Sequence, residues 1–345
     1  MLGGIIQAGT RALGGSRFSL VNLMPTAFFV AFMAALITSG AYTRPKPSLT
    51  PILDIISKDP GVAVAATLGI FLLAVLLRPF QVAIVQILEG YSRRWRPLEF
   101  VNDVAAERHR RTRNTTAIML RAESPNQPSA ASFRDVAYYA RQLHAFHRMR
   151  ARASATVERY PVIQGSDSSG DDRMMPTLLG NVLRAGEDDA GHRYGLDMPV
   201  VYPRMYPSLS PKLDRAISAQ LDMLDTTSAL CVVFGLISLF ALPLTTRLNW
   251  WSLVPLVAMF MSLLAYRGAV ATARGHGRLL ATAFDLHRFD MLTALHHKLP
   301  STPREELELN RELSAFLGGR DPSSVLYMEG FPYSHPPTAA DGGGQ

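Results

Sequence analysis

The chain has 345 residues, a formal net charge of +7 and a mean hydropathy of +0.10. Its single cysteine, Cys231, excludes a disulfide within the chain and a metal site built from several cysteines. The mean hydropathy averages very apolar blocks with strongly charged ones, so apolar runs long enough to cross a bilayer decide the class of protein. The composition is typical of a membrane protein with a large polar insert.

An apolar stretch over residues 21–42 predicts the first transmembrane helix. Pro25 falls in its opening turn, where proline is tolerated because the first N–H groups of a helix have no partner within it. The preceding N-terminal segment, residues 1–20, has no clear cleavage site of a signal peptide. We therefore expect an uncleaved helix that begins a first transmembrane hairpin, residues 21–91.

The second arm of this hairpin is predicted to be a kinked helix. Its sixteen apolar residues, 62–77, extend only about 24 Å as a helix, which is short of a hydrocarbon core of about 30 Å. We therefore expect the helix to continue past Pro79 with a kink and to reach the interface near residues 89–91.

Three polar residues of the second arm are candidates for a membrane path: Arg78, Gln81 and Gln86. Ionisable residues inside a membrane segment often mark the path of an ion or ligand. The other interpretation is that the long side chain of Arg78 reaches the interface and anchors the helix there. Both interpretations stay open at this point.

Residues 92–226 are predicted to form a helical insert between two transmembrane hairpins. Helical periodicity covers residues 99–121 and 132–159, and a turn rich in proline, serine and asparagine separates them. This arrangement predicts an antiparallel helix hairpin.

Charge is distributed unevenly over the insert. Residues 93–159 hold fourteen Lys and Arg against six Asp and Glu, whereas residues 160–226 hold six against ten. Five arginines of the second predicted helix share one face because of their spacing: Arg134, Arg141, Arg148, Arg152 and Arg159. This face is interpreted either as a solvated surface that contacts the acidic half or as a surface for anionic lipid headgroups. Nucleic acid is not expected, because no recognised binding motif accompanies the arginines.

The chain is organised around residues 210–241, which begin as a charged helix and end as an apolar one. Ser210 is a good N-cap, and Pro211 occupies the first helical position, where its missing N–H costs nothing. We predict one continuous helix that leaves the insert and enters the bilayer. It opens a second transmembrane hairpin, residues 227–268, in which a pair of tryptophans follows the tight turn and suits the interface.

Residues 269–317 are predicted to be cytoplasmic helices. The helical pattern of the fourth transmembrane helix continues through Leu295 without a proline, and Thr302 and Glu305 form a capping box that starts a final helix. We expect the long helices of the second hairpin to lie antiparallel and to form a helical stalk. Residues 318–345 are rich in glycine and proline and are predicted to be disordered.

Small residues on the fourth transmembrane helix recur at a spacing that lets helices approach closely: Ala265, Gly268, Thr272 and Gly275. This packing face is interpreted either as an interface between subunits or as the contact with the third helix of the same chain. The two interpretations have equal weight.

No pattern for catalysis is found in the sequence. His144 and His147 have the i, i+3 spacing of two metal ligands, but no further ligands complete a set. The glycine motifs that bind phosphates or dinucleotides and the nucleophile elbow of hydrolases do not occur. We therefore expect no metal, no cofactor and no enzymatic activity.

The distribution of basic residues predicts the orientation. The insert has twenty Lys and Arg, whereas the loop over residues 43–61 has three and the turn over residues 245–249 has one. Because basic loops stay on the cytoplasmic side, we expect the insert and both termini in the cytoplasm.

Four runs carry a family resemblance: PTLLGNVLRAGE (176–187), RYGLD (193–197), YPRMYP (202–207) and AFDLHRFDML (283–292). With these runs the chain resembles a set of uncharacterised bacterial polytopic membrane proteins over about residues 61–317. The resemblance implies a multi-pass protein of the bacterial inner membrane. It implies no activity, substrate or catalytic residue.

The sequence predicts an all-α membrane protein with four transmembrane helices in two hairpins, a helical cytoplasmic insert and long helices that extend into the cytoplasm. The function it favours is that of a non-enzymatic assembly or partner-binding protein. The alternative is a subunit of an oligomeric ion channel or transporter, because four helices are few for a monomeric transporter. Expected partners are the lipid bilayer, further copies of the chain and a cytoplasmic protein.

Overall fold

A computed structural model describes seven stretches of the chain: residues 23–44, 47–48, 60–91, 96–125, 132–161, 173–246 and 249–319. The predicted N-terminal segment (1–20) and all but the first two residues of the predicted tail (318–345) lie outside these stretches. The described residues contain helices and no β-strand, which confirms the all-α prediction.

Ten α-helices occur among the described residues. They are α1 (Met24–Thr38), α2 (Pro60–Leu77), α3 (Gln81–Glu89), α4 (Arg96–Leu120), α5 (Phe133–Val157), α6 (Leu178–His192), α7 (Met198–Met205), α8 (Pro211–Ala241), α9 (Val254–Ala294) and α10 (Pro303–Gly318). Helix α8 is continuous through the change from charged to apolar residues, as the sequence predicts.

Two helical segments are long and apolar enough to cross a membrane. They are α8 with its 3₁₀ extension, Pro211–Thr246, and α9 with its preceding 3₁₀ turn, Trp250–Ala294. Helices α2 and α3 pass the same test only as a bent pair, which gives a third span if the pair is one span. The structure thus supports a membrane protein, with two or three candidate spans among the described residues instead of the four predicted.

Helix α1 is shorter than the transmembrane helix predicted over residues 21–42. Its fifteen residues extend only about 22 Å. Gly40 ends the helix, because it adopts a positive φ of 70° and its N–H bonds back to Ile37 O at 3.2 Å. Residues 21 and 22 lie outside the described stretches.

The kink predicted at Pro79 is present. The 3₁₀ segment Arg78–Phe80 separates α2 from α3, and the axes of the two helices differ in direction by 59°. Proline removes a backbone N–H from the helix and clashes with the preceding turn, which accounts for a break at this position.

The chain divides into two compact units. The first unit comprises residues 1–102 and 219–273, and the second comprises residues 103–218 and 274–345.

Within the first unit, α1 packs against α2 and against the end of α8. Leu36 and Ala41 form a buried cluster with Ala241 and Leu244. The hydroxyl of Tyr42 donates to the carbonyl of Phe240 at 3.2 Å. Helix α1 is therefore attached to the apolar end of α8 by packing and by a hydrogen bond.

Helices α8 and α9 of the first unit are joined by buried polar contacts along their length. Ser238 Oγ donates to the carbonyl of Pro255 at 2.9 Å, and Ser262 Oγ donates to the carbonyl of Cys231 at 2.8 Å. In an apolar environment such polar atoms need a partner within the protein. The large side chains on the other side of α9, such as Phe260, are exposed, as expected of a surface that contacts lipid.

Within the second unit, α4 and α5 form an antiparallel pair. His109 Nδ1 lies 3.2 Å from Tyr160 Oη, and Met119 lies in a groove that Met149 also lines. With this alignment of the two helices, the first three turns of α5 extend past the C-terminal end of α4. Phe133 and Val136 lie in these turns, and both side chains are exposed.

The remaining helices of the second unit surround the part of α9 that follows residue 273. Phe284, Met291 and Leu292 on α9 are fully buried, and Leu313 on α10 is nearly so. Helix α7 packs against both α6 and α10. This core holds the polar groups described next.

Candidate functional site

The two candidate path glutamines do not lie on one side of α3. Arg78 begins the 3₁₀ break, whereas Gln81 and Gln86 are the first and sixth residues of α3. Five residues correspond to a rotation of about 140° around a helix axis, so the two glutamines point in different directions. Gln86 is exposed and Gln81 is half-buried.

The predicted arginine face of α5 separates into two parts. Four of its members are exposed: Arg134, Arg141, Arg148 and Arg152. We call these four the α5 arginine face. Arg148 and Arg152 also border a groove of about 550 Å³ between α4 and α5. Arg159 is half-buried and belongs to a different cavity, described below.

The packing face of small residues contacts α8 of the same chain within the first unit. A Cβ on Gly268 would lie 3.4 Å from Thr227 Cγ2, and the carbonyl of Thr272 accepts a hydrogen bond from Gln220 Nε2 at 3.0 Å. Ala265 is half-buried, as is Gly275, which lies in the second unit. The contacts of Gly268 and Thr272 are therefore those expected if this face packs against a helix of the same chain.

His144 and His147 are both exposed on α5. Among the described residues, no group of three or more His, Cys, Asp or Glu side chains is placed to hold a metal ion.

A partly buried polar cluster joins two of the four runs that carry the resemblance. The hydroxyl of Tyr194, in RYGLD, donates to Asp285 at 2.5 Å, and the guanidinium of Arg288 lies 4.1 Å from the centre of the Tyr194 ring. Arg288 also pairs with Glu306 on α10 at 2.6 Å. Asn310 Nδ2 donates to the carbonyl of Tyr194 at 2.9 Å. These contacts join α9, α10 and the turn after α6, which indicates a structural role for the cluster. Asn310 Oδ1 is buried and has no hydrogen-bond partner among the described residues.

Gly195 allows this turn to approach α10. It has a positive φ of 75°, and a Cβ at this position would lie 2.8 Å from the carbonyl oxygen of Leu307. Any other residue would strain the backbone and push α10 away. The RYGLD run is therefore explained by packing.

An ion pair links the segment before α6 to the C-terminal half of this helix. Arg173 contacts Asp188 at 2.9 Å, and the Asp188 side chain is only 2% exposed. Its neighbour Glu187 lies 4.0 Å from Arg173, and burial raises the pKa of Glu187 although Arg173 acts in the opposite direction.

Helices α6 and α9 touch backbone to backbone where two glycines meet. A Cβ on Gly186 would lie 2.7 Å from Gly277 Cα, and a Cβ on Gly277 would lie 2.8 Å from Gly186 Cα. Distances this short do not occur between real side chains and a backbone. The crossing therefore requires glycine on both helices, and it brings the turns of α9 on either side of Gly277 close to α6.

A cavity of about 510 Å³ lies beside this crossing. It is lined by four arginines from three segments: Arg113, Arg159, Arg274 and Arg278. We call it the arginine cavity. Glu158 and Asp189 also line it, and both are exposed, whereas all of the arginines except Arg278 are half-buried.

The electrostatics of the arginine cavity are unfavourable. The guanidinium groups of Arg159 and Arg278 repel that of Arg274, and Arg274 Nε is buried without a hydrogen-bond acceptor among the described residues. Burial lowers the pKa of Arg113, which shows that its charge is also partly removed from water.

The sequence does not predict this cavity. In the sequence, Arg159 belongs only to the predicted arginine face of α5. The other three arginines of the cavity share no motif. The signal that sequence offers is the pair Gly186 and Gly277, but only the tertiary structure shows that they meet.

Comparison of the chain with protein-family models, with curated proteins and with solved structures gives no match.

Proposed function

We propose that this chain is a non-enzymatic multi-pass membrane protein that recruits an acidic protein partner through the α5 arginine face. The observation that carries the proposal is the exposure of Arg134, Arg141, Arg148 and Arg152 in one row. None of these four side chains has an ion-pair partner within 4 Å among the described residues.

The spacing of the row favours a helical partner. Arg134, Arg141 and Arg148 follow one another at seven residues, which is the repeat of the positions that form ion pairs between helices of a coiled coil. A partner helix with glutamates at the same repeat would match each arginine with a carboxylate. Lysine and arginine on an exposed face also raise the rate of association with an acidic partner.

An exposed apolar side chain adjoins the row. Phe133 is 90% exposed in the first turn of α5, about a quarter of a turn around the helix axis from Arg134. Exposed large apolar side chains on a polar helix are typical of a surface that another molecule covers. Burial of one such side chain contributes about 1.5–3 kcal/mol to association.

The test uses the full chain in nanodiscs of uncharged lipid. The probe is a fluorescent amphipathic peptide with glutamate at every seventh position, and a peptide of the same composition in scrambled order is its control. We expect the ordered peptide to bind, and Arg134→Glu with Arg141→Glu to weaken it at least tenfold. Arg304→Glu, on the 89%-exposed side chain of Arg304 on α10, should leave binding unchanged.

The proposal would be overturned if the ordered and the scrambled peptide bind equally well. It would also be overturned if the α5 variant binds the ordered peptide as tightly as the wild type does. If only nanodiscs or vesicles with anionic phosphatidylglycerol respond to the α5 substitutions, the face binds lipid headgroups instead. If the substitutions change only the mass of the solubilised protein, the face contacts a second copy.

The proposed membrane topology has four transmembrane helices, with the insert and both termini in the cytoplasm of a bacterial inner membrane. It is supported by the two long apolar segments, by the bent α2–α3 pair and by the apolar α1. The basic residues of the insert and the resemblance to bacterial polytopic membrane proteins support the orientation and the compartment.

A second candidate function is that of an oligomeric channel or transporter subunit. The observation that favours it is the 59° break between α2 and α3 with Arg78 at the break, since broken membrane helices often surround ion or substrate sites. Light scattering of the solubilised protein, with detergent subtracted, tests for a ring-sized oligomer. Arg78→Leu should then change conductance in planar bilayers, and a monomer without conductance would refute this candidate.

A further inference from the structure

The arginine cavity concentrates positive charge that the carboxylates of the described residues do not balance. Its four arginines face two carboxylates, those of Glu158 and Asp189, so the lining carries a net charge of +2. None of the four arginines forms an ion pair with a described carboxylate within 4 Å. Like charges held together in a partly dry site destabilise the fold unless an anion compensates them.

Two donor groups in the cavity differ in how they are satisfied. Arg159 Nε donates to the carbonyl of Ala155 at 3.0 Å, whereas Arg274 Nε is buried and has no acceptor among the described residues. A buried donor without an acceptor destabilises the folded protein. The missing acceptor at Arg274 and the excess positive charge both indicate an anionic ligand.

The size and lining of the cavity restrict the ligand further. A volume of about 510 Å³ is in the range of small-molecule sites. Pro161 and Val182 provide an apolar wall beside the arginines, and the buried Tyr160 adds an aromatic ring. Planar guanidinium groups bind phosphate oxygens through paired hydrogen bonds.

We propose that the arginine cavity binds a phosphate-bearing anion, with the phosphate between Arg274 and Arg278 and an uncharged part of the ligand against Val182 and Pro161. The phosphate belongs either to a soluble phosphate ester or to a lipid headgroup. The site is distinct from the α5 arginine face and does not depend on the proposed partner.

Thermal unfolding of the full chain in nanodiscs of uncharged lipid tests this site. Inorganic phosphate and glycerol 3-phosphate are the soluble probes, and sodium chloride at equal ionic strength is the control. Ligands that bind only the folded protein raise the midpoint of unfolding in proportion to the logarithm of their concentration. We expect this rise with the phosphates and not with chloride.

Substitutions in the cavity should remove the response. Arg274→Gln and Arg278→Gln should each weaken phosphate binding at least tenfold, whereas Arg304→Gln, which removes the same charge outside the cavity, should not. Without ligand, Arg274→Gln should raise the midpoint, because it removes a repelled charge with an unsatisfied donor. If Arg274→Gln does not fold, Arg113→Gln takes its place.

Two arms identify the source of the phosphate. A lipid source predicts stabilisation by phosphatidylglycerol in the nanodisc that is lost in Arg278→Gln and is not reproduced by glycerol 3-phosphate. A soluble source predicts stabilisation by glycerol 3-phosphate that is lost in Arg278→Gln and is not reproduced by phosphatidylglycerol in the nanodisc. The proposal fails if neither source stabilises the protein beyond chloride, or if the cavity variants respond as the wild type does.

Discussion

Arg288 contacts one carboxylate and two aromatic rings in the second unit. It pairs with Glu306 at 2.6 Å, and its guanidinium lies over the rings of Tyr194 and Phe289 at 4.1 and 4.3 Å from their centres. The side chains of Arg288 and Glu306 are 15% and 10% exposed, so neither charge is well solvated. Removing one partner leaves the other charge buried and uncompensated.

Glu306→Ala should therefore destabilise the protein by about 3–5 kcal/mol. The matched control is Glu308→Ala, since Glu308 forms an exposed ion pair with Arg304 on the same helix and should cost less than about 0.5 kcal/mol. Unfolding of the solubilised protein by denaturant, followed by circular dichroism, measures both. Equal losses for the two variants would contradict the structural role of the Arg288 cluster.

The carboxyl of Glu187 makes stability depend on pH. Its pKa is raised by burial above the ordinary value of 4.5, so the folded state binds a proton more tightly than the unfolded state. The stability that protonation of Glu187 contributes is fully present below pH 4.5 and is lost as pH rises through the pKa of the folded state. Relative to Glu187→Gln, the wild type should thus lose stability as pH rises above 4.5.

The measurement is the free energy of unfolding of both proteins between pH 4 and 8. Glu312→Gln, which removes a carboxylate from an exposed residue of α10, serves as the matched control. A difference between the wild type and Glu187→Gln that does not change with pH would refute the assignment.

At the scale of elements, two of the three glycines of α9 lie in different surroundings. A Cβ on Gly277 would lie 2.8 Å from the backbone of α6, whereas a Cβ on Gly268 would lie 3.4 Å from a side-chain methyl of Thr227. Both substitutions to alanine gain about 0.8–1 kcal/mol of helix propensity. The two substitutions differ in the atoms that the new methyl group would contact.

Gly277→Ala should destabilise the protein by about 1–3 kcal/mol, because α6 and α9 must separate. Gly268→Ala should leave stability unchanged or raise it slightly. Thermal unfolding of both variants tests the difference. If Gly277→Ala is as stable as Gly268→Ala, the two helices do not cross at backbone contact.

At the scale of the whole molecule, sequence predicts what depends on local pattern. Helix α8 begins at Pro211, directly after Ser210, as the sequence predicts. At the start of α10, Thr302 accepts a hydrogen bond from the Glu305 N–H at 3.2 Å, as the predicted cap requires. The arginine cavity is different, because more than 100 residues separate Arg159 from Arg274. Only the crossing of α6 and α9 makes them neighbours, and no local pattern encodes it.

The exposed start of α5 illustrates the same limit. Apolar residues recur along α5 opposite the arginines, but their burial requires a neighbouring helix of sufficient length. Because α4 ends at Leu120, Phe133 remains exposed. Periodicity identifies which face is apolar, and the register of the pair decides whether it is covered.

The proposed topology is tested with introduced cysteines. Cys231 is buried and is the sole cysteine of the chain, so Cys231→Ser gives a background without thiols. We expect Ser48→Cys to react with a membrane-impermeant maleimide in intact cells. Tyr138→Cys and Ser301→Cys should react only after the membrane is opened, and labelling of all three in intact cells would contradict the topology.

The contact of Gly186 with Gly277 has a consequence for comparing this chain with its relatives. Most contacts leave a trace in evolution because a larger residue on one side is balanced by a smaller one on the other. Here each position already holds the smallest residue, and each new Cβ would meet the opposite backbone and not a side chain. No substitution at one position can compensate a change at the other. We expect the two glycines to be invariant together and to show no covariation, so methods that infer contacts from correlated substitutions will miss the crossing on which the arginine cavity depends.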